Sequence, residues 1–469
     1  MDSKKKLPNP GENKMRTMPV GKLLFSMALP LVMSMLVQAL YNVVDSVYVA
    51  KYSENAVTAL SLAFPIQNLQ IGFSTGIAVG VNSLLSKSLG EGNRERANRA
   101  AGNGILLMGI VIAVFMLFGG FGAGAYYNMQ PISEATRQEG IRYTAICCIF
   151  TAGIFVEIMG ERLLQASGRT VYTLFTQGIG AVINIVLDPV FIFGFAPLGI
   201  PAMGAAGAAV ATVIGQWVAA ILAVIFNLTR NPDVQFAMKY LRPEKDVIRK
   251  ILAVGVPSII MMAIGSVMNF GMNQIFLGFP GIGETASGVF GVYFKLQSFF
   301  LMPVFGLNNA SISIIAYNYG ARQPRRITGT LKYAVGAAMA VLVLGLAVFQ
   351  LCPEVLMSIF TTGEETGAEF IRIGVSALRI VSFHFPIAAV GIALGASFQA
   401  LGNGIYSTIT SLCRQLLALL PAAYLLSLTG SVDAVWWSFP IAEVVSVIAT
   451  LLLYRRIYLQ KVKPLFGQE

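Results

Sequence analysis

The stretch LLFSMALPLVMSMLVQALYNVVDSVYVA, residues 23–50, decides the fold class because it is long and apolar and holds a single charge, Asp45. A second stretch of this kind, TVYTLFTQGIGAVINIVLDPVFIFGF, residues 170–195, carries Asp188. Each exceeds the roughly 20 apolar residues that span a bilayer. A carboxylate at the bilayer centre costs about 2.5–3.5 kcal/mol on insertion scales, so it normally faces a polar cavity or a partner. Both stretches predict transmembrane helices, and both aspartates are functional candidates.

The composition of the whole chain predicts a membrane protein. Of its 469 residues, 56% are hydrophobic and 12% are charged, whereas soluble domains carry about 25% charged residues. The first apolar run is too long for a signal-peptide core, and we expect it to remain as a helix. The apolar runs predict an all-α polytopic membrane protein with twelve spans. These are 23–50, 55–86, 100–127, 141–160, 170–195, 203–229, 251–278, 284–317, 331–352, 370–400, 405–428 and 433–457.

The basic residues predict the orientation of the chain. Most of the 33 Lys and Arg lie near the two chain ends or in loops that follow even-numbered spans. The opposite loops hold only Lys51, Arg137, Arg142 and Arg372. By the positive-inside rule, both termini are cytoplasmic. The net charge of +11 is spread over short loops, which favours contact with anionic membrane lipid over binding to nucleic acid.

The sequence lacks the common motifs of enzymatic chemistry. Its four cysteines lie in apolar spans without metal-ligand spacing, and they indicate neither a disulfide framework nor a redox centre. It contains neither the G-x-x-x-x-G-K-[ST] loop of nucleotide hydrolysis nor the H-E-x-x-H motif of metalloproteases. We therefore expect no enzyme activity, no cofactor and no resident metal ion, with an ion gradient as the only energy source.

The two halves of the sequence resemble each other, because proline, glycine and polar positions recur at a nearly constant separation. The matched pairs are Pro30 with Pro257, Asn42 with Asn269, Gln67 with Gln297, Gly76 with Gly306 and Gln165 with Gln399. Six spans in each half make these parallel repeats, which are typical of secondary transporters. The expected organisation is a cytoplasmic tail (1–22), an N-lobe (23–229), a cytoplasmic linker (230–250), a C-lobe (251–458) and a second cytoplasmic tail (459–469).

Polar side chains in the first half line up around the two aspartates. Helical spacing groups them on shared or adjoining faces. The grouped residues are Gln38, Tyr41, Asn42 and Tyr48 around Asp45, and Asn184 one turn before Asp188. They predict one hydrophilic pocket, the alternative being that each acid only ties helices together. Pro30 lies in the first of these helices and is the candidate hinge, because proline removes a backbone hydrogen bond and kinks a helix.

The second half carries neutral residues at the positions that match these acids. Its candidate contributions to the pocket are Asn269, Met272, Asn273 and Gln297. His384, the only histidine, stands beside aromatic residues, and we expect it to pack rather than to relay protons.

Several other charges lie within the apolar spans, and for these we expect structural pairing. Glu157 and Glu161 stand beside Arg162 and predict an ion pair near the membrane surface. The remaining charges of this kind are Lys295, Arg379, Arg414 and Glu443. Gly72, Gly76 and Gly80 recur every fourth residue and predict close packing between helices.

Four segments of the sequence resemble the multidrug and toxic compound extrusion (MATE) transporters. They are YNVVDSVYVAKYSENAVTALSLAFPI (41–66), ERLLQASGRT (161–170), NIVLDPVFIFGFAPLGIPAMGAAGAAVATVIGQ (184–216) and FQALGNGIYSTI (398–409). The pattern is similar to the DinF-like branch, which includes MepA-like bacterial pumps. The resemblance implies two six-helix lobes in a V around a central cavity, in a bacterial cytoplasmic membrane. It also implies export of amphipathic, often cationic compounds in exchange for protons or sodium.

The resemblance also assigns roles to single residues. Asp45 matches the acid of the family's first helix, Asn184 and Asp188 match the Asn and Asp of its fifth, and Pro30 matches the proline at which the first helix bends. The acids that the NorM-like branch carries in its seventh and tenth helices have no match in this sequence. Met272, Asn273 and His384 occupy those regions, which places ion coupling in the N-lobe.

The resulting hypothesis is that Asp45 and Asp188, with Asn184, form a site whose charge is exchanged between the exported compound and a proton. Two carboxylates this close titrate as a unit. Sodium at Asp45, Asn184 and Asp188 is the alternative coupling ion, and a monomer is the expected state. A lipid-linked saccharide flippase would require basic residues in the cavity. A membrane enzyme such as a prenyl transferase would require acid clusters for Mg²⁺ at the loop ends.

Overall fold

The computed structural model describes residues 13–130, 132–360 and 364–467. Within these ranges, the side chains of residues 42, 43, 46, 50, 54, 198 and 364–366 are not described. The predicted role of the Asn42 side chain therefore lies outside the described part of the chain.

The described residues fold into α-helices, with one isolated β-bridge between Phe195 and Ile200. The helices are α1 Lys14–Thr17, α2 Val20–Tyr52, α3 Glu54–Gly90, α4 Arg94–Leu117, α5 Ala123–Asn128, α6 Glu134–Ile149, α7 Ala152–Ala166, α8 Val171–Ile192, α9 Ala205–Arg230, α10 Lys245–Leu277, α11 Gly283–Gly320, α12 Pro324–Leu351, α13 Pro353–Ser358, α14 Glu364–Ser382, α15 Phe385–Ala400, α16 Gly404–Leu412, α17 Leu420–Ser427, α18 Val432–Trp436 and α19 Ser438–Ile457. Short π-helical segments at Phe118–Gly122 and Cys413–Leu419 join α4 to α5 and α16 to α17.

The helices agree with the twelve predicted spans. Among the described residues, ten continuous helices are long and apolar enough to cross a membrane. Two further pairs of helices qualify when each pair is taken as one bent span: α6 with α7, bent by 44°, and α14 with α15, bent by 51°. Each bent pair is the fourth span of its half. The two halves therefore also share the span in which a helix is broken. The prediction of an all-α polytopic membrane protein is confirmed.

Polar residues fix where several helices begin. Ser53 caps α3 by accepting a hydrogen bond from the Ala56 amide, and Asn93 caps α4 in the same way through Arg96. Ser133 accepts from the Thr136 amide at the start of α6. Such residues satisfy amides that have no partner inside the helix, and they explain how short polar loops separate long apolar helices.

The chain divides into two compact units. The first runs up to Thr17 and then from Leu29 to Ile259, and the second comprises Met18–Ala28 and the residues from Ile260 onward. None of these boundaries falls in the 230–250 segment. Both α2 and α10 pass from one unit to the other, and each does so within a few residues of its internal proline, Pro30 or Pro257. The start of α2 is held in the second unit, where Arg326 donates to the Met18 carbonyl at 2.8 Å.

Each unit has its own apolar core. In the first, Ile77 and Val81 of α3 pack with Phe155 and Met159 of α7. In the second, helices α11, α12, α15 and α19 contribute the core residues Ile315, Leu331, Phe398 and Ile457.

Glycines allow helices of the first unit to approach closely. A Cβ on Gly80 would lie 2.2 Å from the Ile251 carbonyl oxygen, and one on Gly76 would lie 2.8 Å from the Gly255 carbonyl oxygen. The backbones of α3 and the first half of α10 are therefore in direct contact, as the spacing of Gly76 and Gly80 predicts.

The segment between α9 and α10 is shorter than the predicted linker, because α10 begins at Lys245. It contains one 3-10 turn, Met238–Leu241. Two buried asparagines of α4 hold it in place, since Asn98 accepts from the Gln235 amide and Asn103 accepts from the Glu244 amide, both at 2.8 Å.

Candidate functional site

The candidate site lies in the first unit and begins on α8. Asn184 donates through Nδ2 to Asp188 Oδ1 at 3.1 Å and to Thr212 Oγ1 of α9 at 3.3 Å. Asp188 is fully buried and Asn184 is 3% exposed. The predicted stacking of Asn184 on Asp188 one turn later is therefore present, and α9 adds a hydroxyl to it.

Two glycines explain why α8 and α9 approach closely at this point. A Cβ on Gly215 would lie 2.7 Å from the Gly180 carbonyl oxygen and 3.3 Å from Asn184 Cβ. A Cβ on Gly180 would lie 3.0 Å from the Gly215 carbonyl oxygen. A larger residue at either position would separate the helices and draw Thr212 away from Asn184.

Helix α2 brings the second aspartate to the same site. Asp45 lies within electrostatic reach of Asp188. Tyr41, one turn before Asp45, hydrogen-bonds Gln38 and lies within electrostatic reach of both carboxyl groups. Tyr41 and Asp45 of α2 therefore share an electrostatic environment with Asp188 of α8.

Three oxygen atoms of this site are free to accept a ligand. Within the described part of the chain, Asp45 Oδ1, Asn184 Oδ1 and Asp188 Oδ2 are buried without a hydrogen-bond partner. A buried polar atom without a partner costs about 1–3 kcal/mol, and native proteins usually avoid that cost. All three atoms are acceptors when the carboxyl groups are ionised, which suits a proton, a metal cation or an organic cation.

Four further residues belong to this site, and the sequence reasoning assigned none of them to it. Thr212 bonds Asn184, as described above. Tyr143 of α6 lies within electrostatic reach of Asp45 and accepts a hydrogen bond from Gln67 of α3 at 2.8 Å. Glu157 of α7 lies within electrostatic reach of Tyr41. The repeat already marked Gln67, which matches Gln297, whereas neutral Tyr143 and Thr212 give no signal in an apolar sequence.

Pro30 and Tyr48 occupy the helix of Asp45. Pro30 lies inside α2, where Ser34 Oγ donates to its carbonyl oxygen at 2.8 Å. Tyr48 packs its ring against Phe193, with centroids 6.4 Å apart, and so borders the end of α8.

The predicted residues of the second half lie in the second unit. Asn273 bonds the Asn269 carbonyl and accepts from Ser287 at 2.7 Å. Gln297 is 3.3 Å from His384. Met272 is fully buried, which places its side chain in the packing of this unit. Their proposed contact with substrate stays a prediction.

His384 lies at the break between α14 and α15. Its Nδ1 is 2.6 Å from the Val381 carbonyl oxygen, and its ring packs beside Phe385 and Phe439. The histidine is 5% exposed. These contacts give it the packing role expected from the sequence.

No salt bridge within 4 Å joins the described side chains of Glu157 or Glu161 to Arg162, although Glu161 and Arg162 lie within electrostatic reach of each other. Glu161 accepts hydrogen bonds from Thr176 at 2.6 Å and from Gln177 at 3.0 Å. Arg162 instead donates to Gln165 at 2.9 Å. The sequence did not predict these hydrogen bonds, because proximity on one helix does not reveal the hydroxyl and amide that α8 supplies to Glu161.

The other intramembrane charges divide into two groups. Arg414 pairs with Glu443 at 3.7 Å, as expected. Lys295 and Arg379 are exposed in the described structure, and the structure does not supply the partners expected for them.

The fold and the site define a class of protein. Two parallel six-span repeats, with acceptor oxygens left unpaired between helices of one lobe, are the architecture of a secondary transporter.

Comparison with known proteins places the chain within that class. The MatE family model matches residues 30–190 and 257–425, once in each half. The chain belongs to the MatE family. The resemblance seen in the sequence is thereby confirmed.

The relatives carry transporter names. The chain is 23% identical over 445 residues to "Multidrug export protein MepA" of Staphylococcus haemolyticus, with 93% of each protein covered. It is 24% identical over 442 residues to "FAD transporter" of Shewanella oneidensis, covering 94% of this chain and 95% of that protein. MepA proteins of other staphylococci match at similar identity, which agrees with the predicted MepA-like branch.

Solved structures share the fold. The chain aligns with an outward-facing multidrug resistance MATE family transporter of the MOP superfamily at a TM-score of 0.89 and 23% identity, covering 98% of this chain and all of the other. A MOP superfamily transporter from Pyrococcus furiosus aligns at a TM-score of 0.88 and 23% identity, covering 96% and 98%. At such identities the agreement concerns the fold alone.

Proposed function

We propose that this chain is a secondary active multidrug efflux antiporter that exports amphipathic, mainly cationic compounds in exchange for protons. The observation that supports this most is the set of unpaired acceptor oxygens on Asp45, Asn184 and Asp188 inside one lobe of a MatE-family protein. Acceptors buried without a partner suit a ligand that brings positive charge, and they leave room for a proton to replace it.

The exchange follows from charge. While the carboxyl groups are ionised, the site attracts a cation, and the low dielectric of a buried site strengthens that attraction. Protonation removes the negative charge and weakens the hold on the compound. Compound and proton then compete for the same atoms, which is the requirement for antiport through a single site.

Pro30 is proposed as the hinge of the accompanying conformational change. It lies two residues from the point at which α2 passes from the second unit to the first. A proline there leaves the backbone without one hydrogen bond, so bending at this point breaks fewer bonds. Asp45 lies on the same helix, and its protonation state can therefore bias the bend.

Sodium is the second candidate for the coupling ion. Two carboxylates and an amide oxygen are hard oxygen donors of the type that such cations prefer. Within the described residues no cluster of three His, Cys, Asp or Glu side chains could hold a metal, and a sodium site here would use Asn184 as its third ligand.

An anionic cargo is the competing proposal, because one relative is named FAD transporter. The first unit argues against it, since the described charged side chains that border the site are the carboxylates Asp45, Glu157 and Asp188. A lipid-linked saccharide flippase meets the same objection. An integral membrane enzyme is disfavoured by the transporter names of the relatives.

The test is ethidium export from inverted vesicles or proteoliposomes under separately imposed proton and sodium gradients. Wild-type protein should export under a proton gradient alone. Asp45→Asn and Asp188→Asn should each abolish export, because the amide keeps the volume and removes titration. Asp246→Asn, an exposed position at the start of α10, is the matched control and should export normally. Full export by either site variant would refute the proposal.

A further inference from the structure

The second unit contains a polar cluster that the proposed coupling site does not use. It surrounds the Arg414–Glu443 ion pair, in which Nη1 and Oε2 are 3.7 Å apart. Arg414 and Gln415 lie on the π-helical segment Cys413–Leu419, and Glu443 lies on α19. Tyr293 of α11 lies within electrostatic reach of both charges.

The position of this cluster in the repeat is informative. The span α16–α17 is the fifth of its half and α19 belongs to the sixth, so they correspond to α8 and α9 of the first unit. Those helices carry Asn184, Asp188 and Thr212. The second unit therefore has polar residues on the equivalent pair of helices, but with one positive and one negative charge. The π-helical segment adds to the argument, because such segments occur frequently at functional sites.

The ion pair itself is open. Its 3.7 Å separation is longer than the 2.7–2.9 Å of a charge-assisted hydrogen bond. The Arg414 side chain is 36% exposed, whereas that of Glu443 is 6% exposed. Arg414 is thus the partly exposed member of the pair and Glu443 the buried one.

A third polar group lies beside the pair. Tyr293 is fully buried, and its hydroxyl lies within electrostatic reach of both charges and next to Gln297. By strict geometry the hydroxyl makes no hydrogen bond within the described part of the chain. It can therefore donate to an anion held by Arg414. A donor beside a separated pair of opposite charges suits a ligand that carries both charges.

We propose that Arg414 and Glu443 form a second substrate subsite, which binds a compact zwitterionic group. Its carboxylate is held by Arg414 and Tyr293, and its ammonium by Glu443. The inference rests on the proposed function, because it adds a class of substrate to the same transporter.

A zwitterion fits for an energetic reason. A buried charge left without its partner is costly. A ligand with only one charge would pair with either Arg414 or Glu443 and leave the other residue without a partner. A ligand with both charges replaces each partner at the same time. The short distance between Arg414 and Glu443 favours ligands whose ammonium and carboxylate are attached to the same carbon atom, as in an α-amino acid.

The test uses three fluorescent probes that differ only at that end. Nε-dansyl-lysine carries both charges, its methyl ester lacks the carboxylate, and its Nα-acetyl derivative lacks the ammonium. Binding to the full-length protein in nanodiscs is followed by dansyl fluorescence. The wild type should bind Nε-dansyl-lysine at least tenfold more tightly than either derivative. Equal binding of all three would overturn the proposal.

Variants then locate the subsite. The double variant Arg414→Gln with Glu443→Gln keeps the net charge and should remove the preference for the zwitterion. Tyr293→Phe deletes one hydroxyl and should reduce the preference for the zwitterion several-fold. This variant replaces the double variant in the test if the double variant does not fold. The matched control is Arg372→Gln with Asp433→Asn, which removes an exposed ion pair of the same unit and should leave the preference intact. A preference that survives in both the double variant and Tyr293→Phe would refute the assignment.

The ethidium assay separates this inference from the proposed function. Failure of wild-type ethidium export with an intact zwitterion preference would count against the antiporter alone. Normal ethidium export without that preference would count against the subsite alone.

Discussion

Replacing Gly215 by alanine tests whether the contact between α8 and α9 holds the candidate site together. The added Cβ would lie 2.7 Å from the Gly180 carbonyl oxygen and 3.3 Å from Asn184 Cβ, so the helices must separate by several tenths of an ångström. The bond from Asn184 to Thr212 is 3.3 Å long, near the limit for a hydrogen bond, and such a shift should break it.

The expected loss of stability combines three contributions. Overpacking costs about 1–3 kcal/mol, and the lost hydrogen bond adds about 0.5–1.5 kcal/mol. Alanine has a higher helix propensity than glycine, which offsets the loss by up to about 1 kcal/mol. We expect a net loss of about 0.5–4.5 kcal/mol. Since one kcal/mol lowers the melting temperature of a unit of 150–250 residues by about 2–4 °C, the change should be measurable.

The assay measures thermal unfolding and tetraphenylphosphonium binding of the purified protein. Gly178→Ala is the matched control, because it lies on α8, one of the two contacting helices, with nothing within 4 Å of its added Cβ. Gly215→Ala should melt lower and bind the cation several-fold more weakly than Gly178→Ala. If the two variants melt and bind alike, the close approach of α8 and α9 does not support the site.

Two further predictions concern single residues. Pro30→Ala should slow ethidium export several-fold, because it restores a backbone hydrogen bond at the proposed hinge. Equilibrium cation binding should stay unchanged. An unchanged export rate would refute the hinge role. His384→Gln should retain most ethidium export, because an amide can replace the contacts of the histidine with Gln297 and Val381. Loss of export with normal expression would instead assign the histidine a proton-transfer role.

The sequence predicted the spans because the bilayer imposes length and apolarity on every helix that crosses it. The bent spans were each predicted as one continuous element, since the break at His384 lies in an apolar run that hydropathy cannot divide. The passage of α2 and α10 between the two units was not predicted, because compact units depend on packing rather than on repeat boundaries. Pro30 and Pro257 were the only signals in the sequence near those positions.

The candidate site was predicted in part. Asp45 and Asp188 were identified because a charge in an apolar run is costly, and helical spacing added Tyr41 and Asn184. Neutral Tyr143 and Thr212 were missed because placing a hydroxyl in a membrane span costs little free energy. Its presence in an apolar run therefore does not mark a functional site. Glu161 was misread for a related reason, since the groups that bond it come from another helix.

The central claim is that compound and proton compete for the Asp45–Asp188 site. The most direct measurement is tetraphenylphosphonium binding as a function of pH, for the wild type and for Asp45→Asn. Coulomb attraction over about 4 Å is roughly 4 kcal/mol at an effective dielectric of 20, so losing it can weaken binding nearly a thousandfold, about a factor of ten per 1.4 kcal/mol, before desolvation offsets part of it. Binding should weaken as the pH falls through the apparent pKa of the site, recover at higher pH, and vary less in Asp45→Asn. Wild-type binding that is flat from mildly acidic to mildly alkaline pH, yet displaced by sodium and not by potassium, would contradict proton coupling.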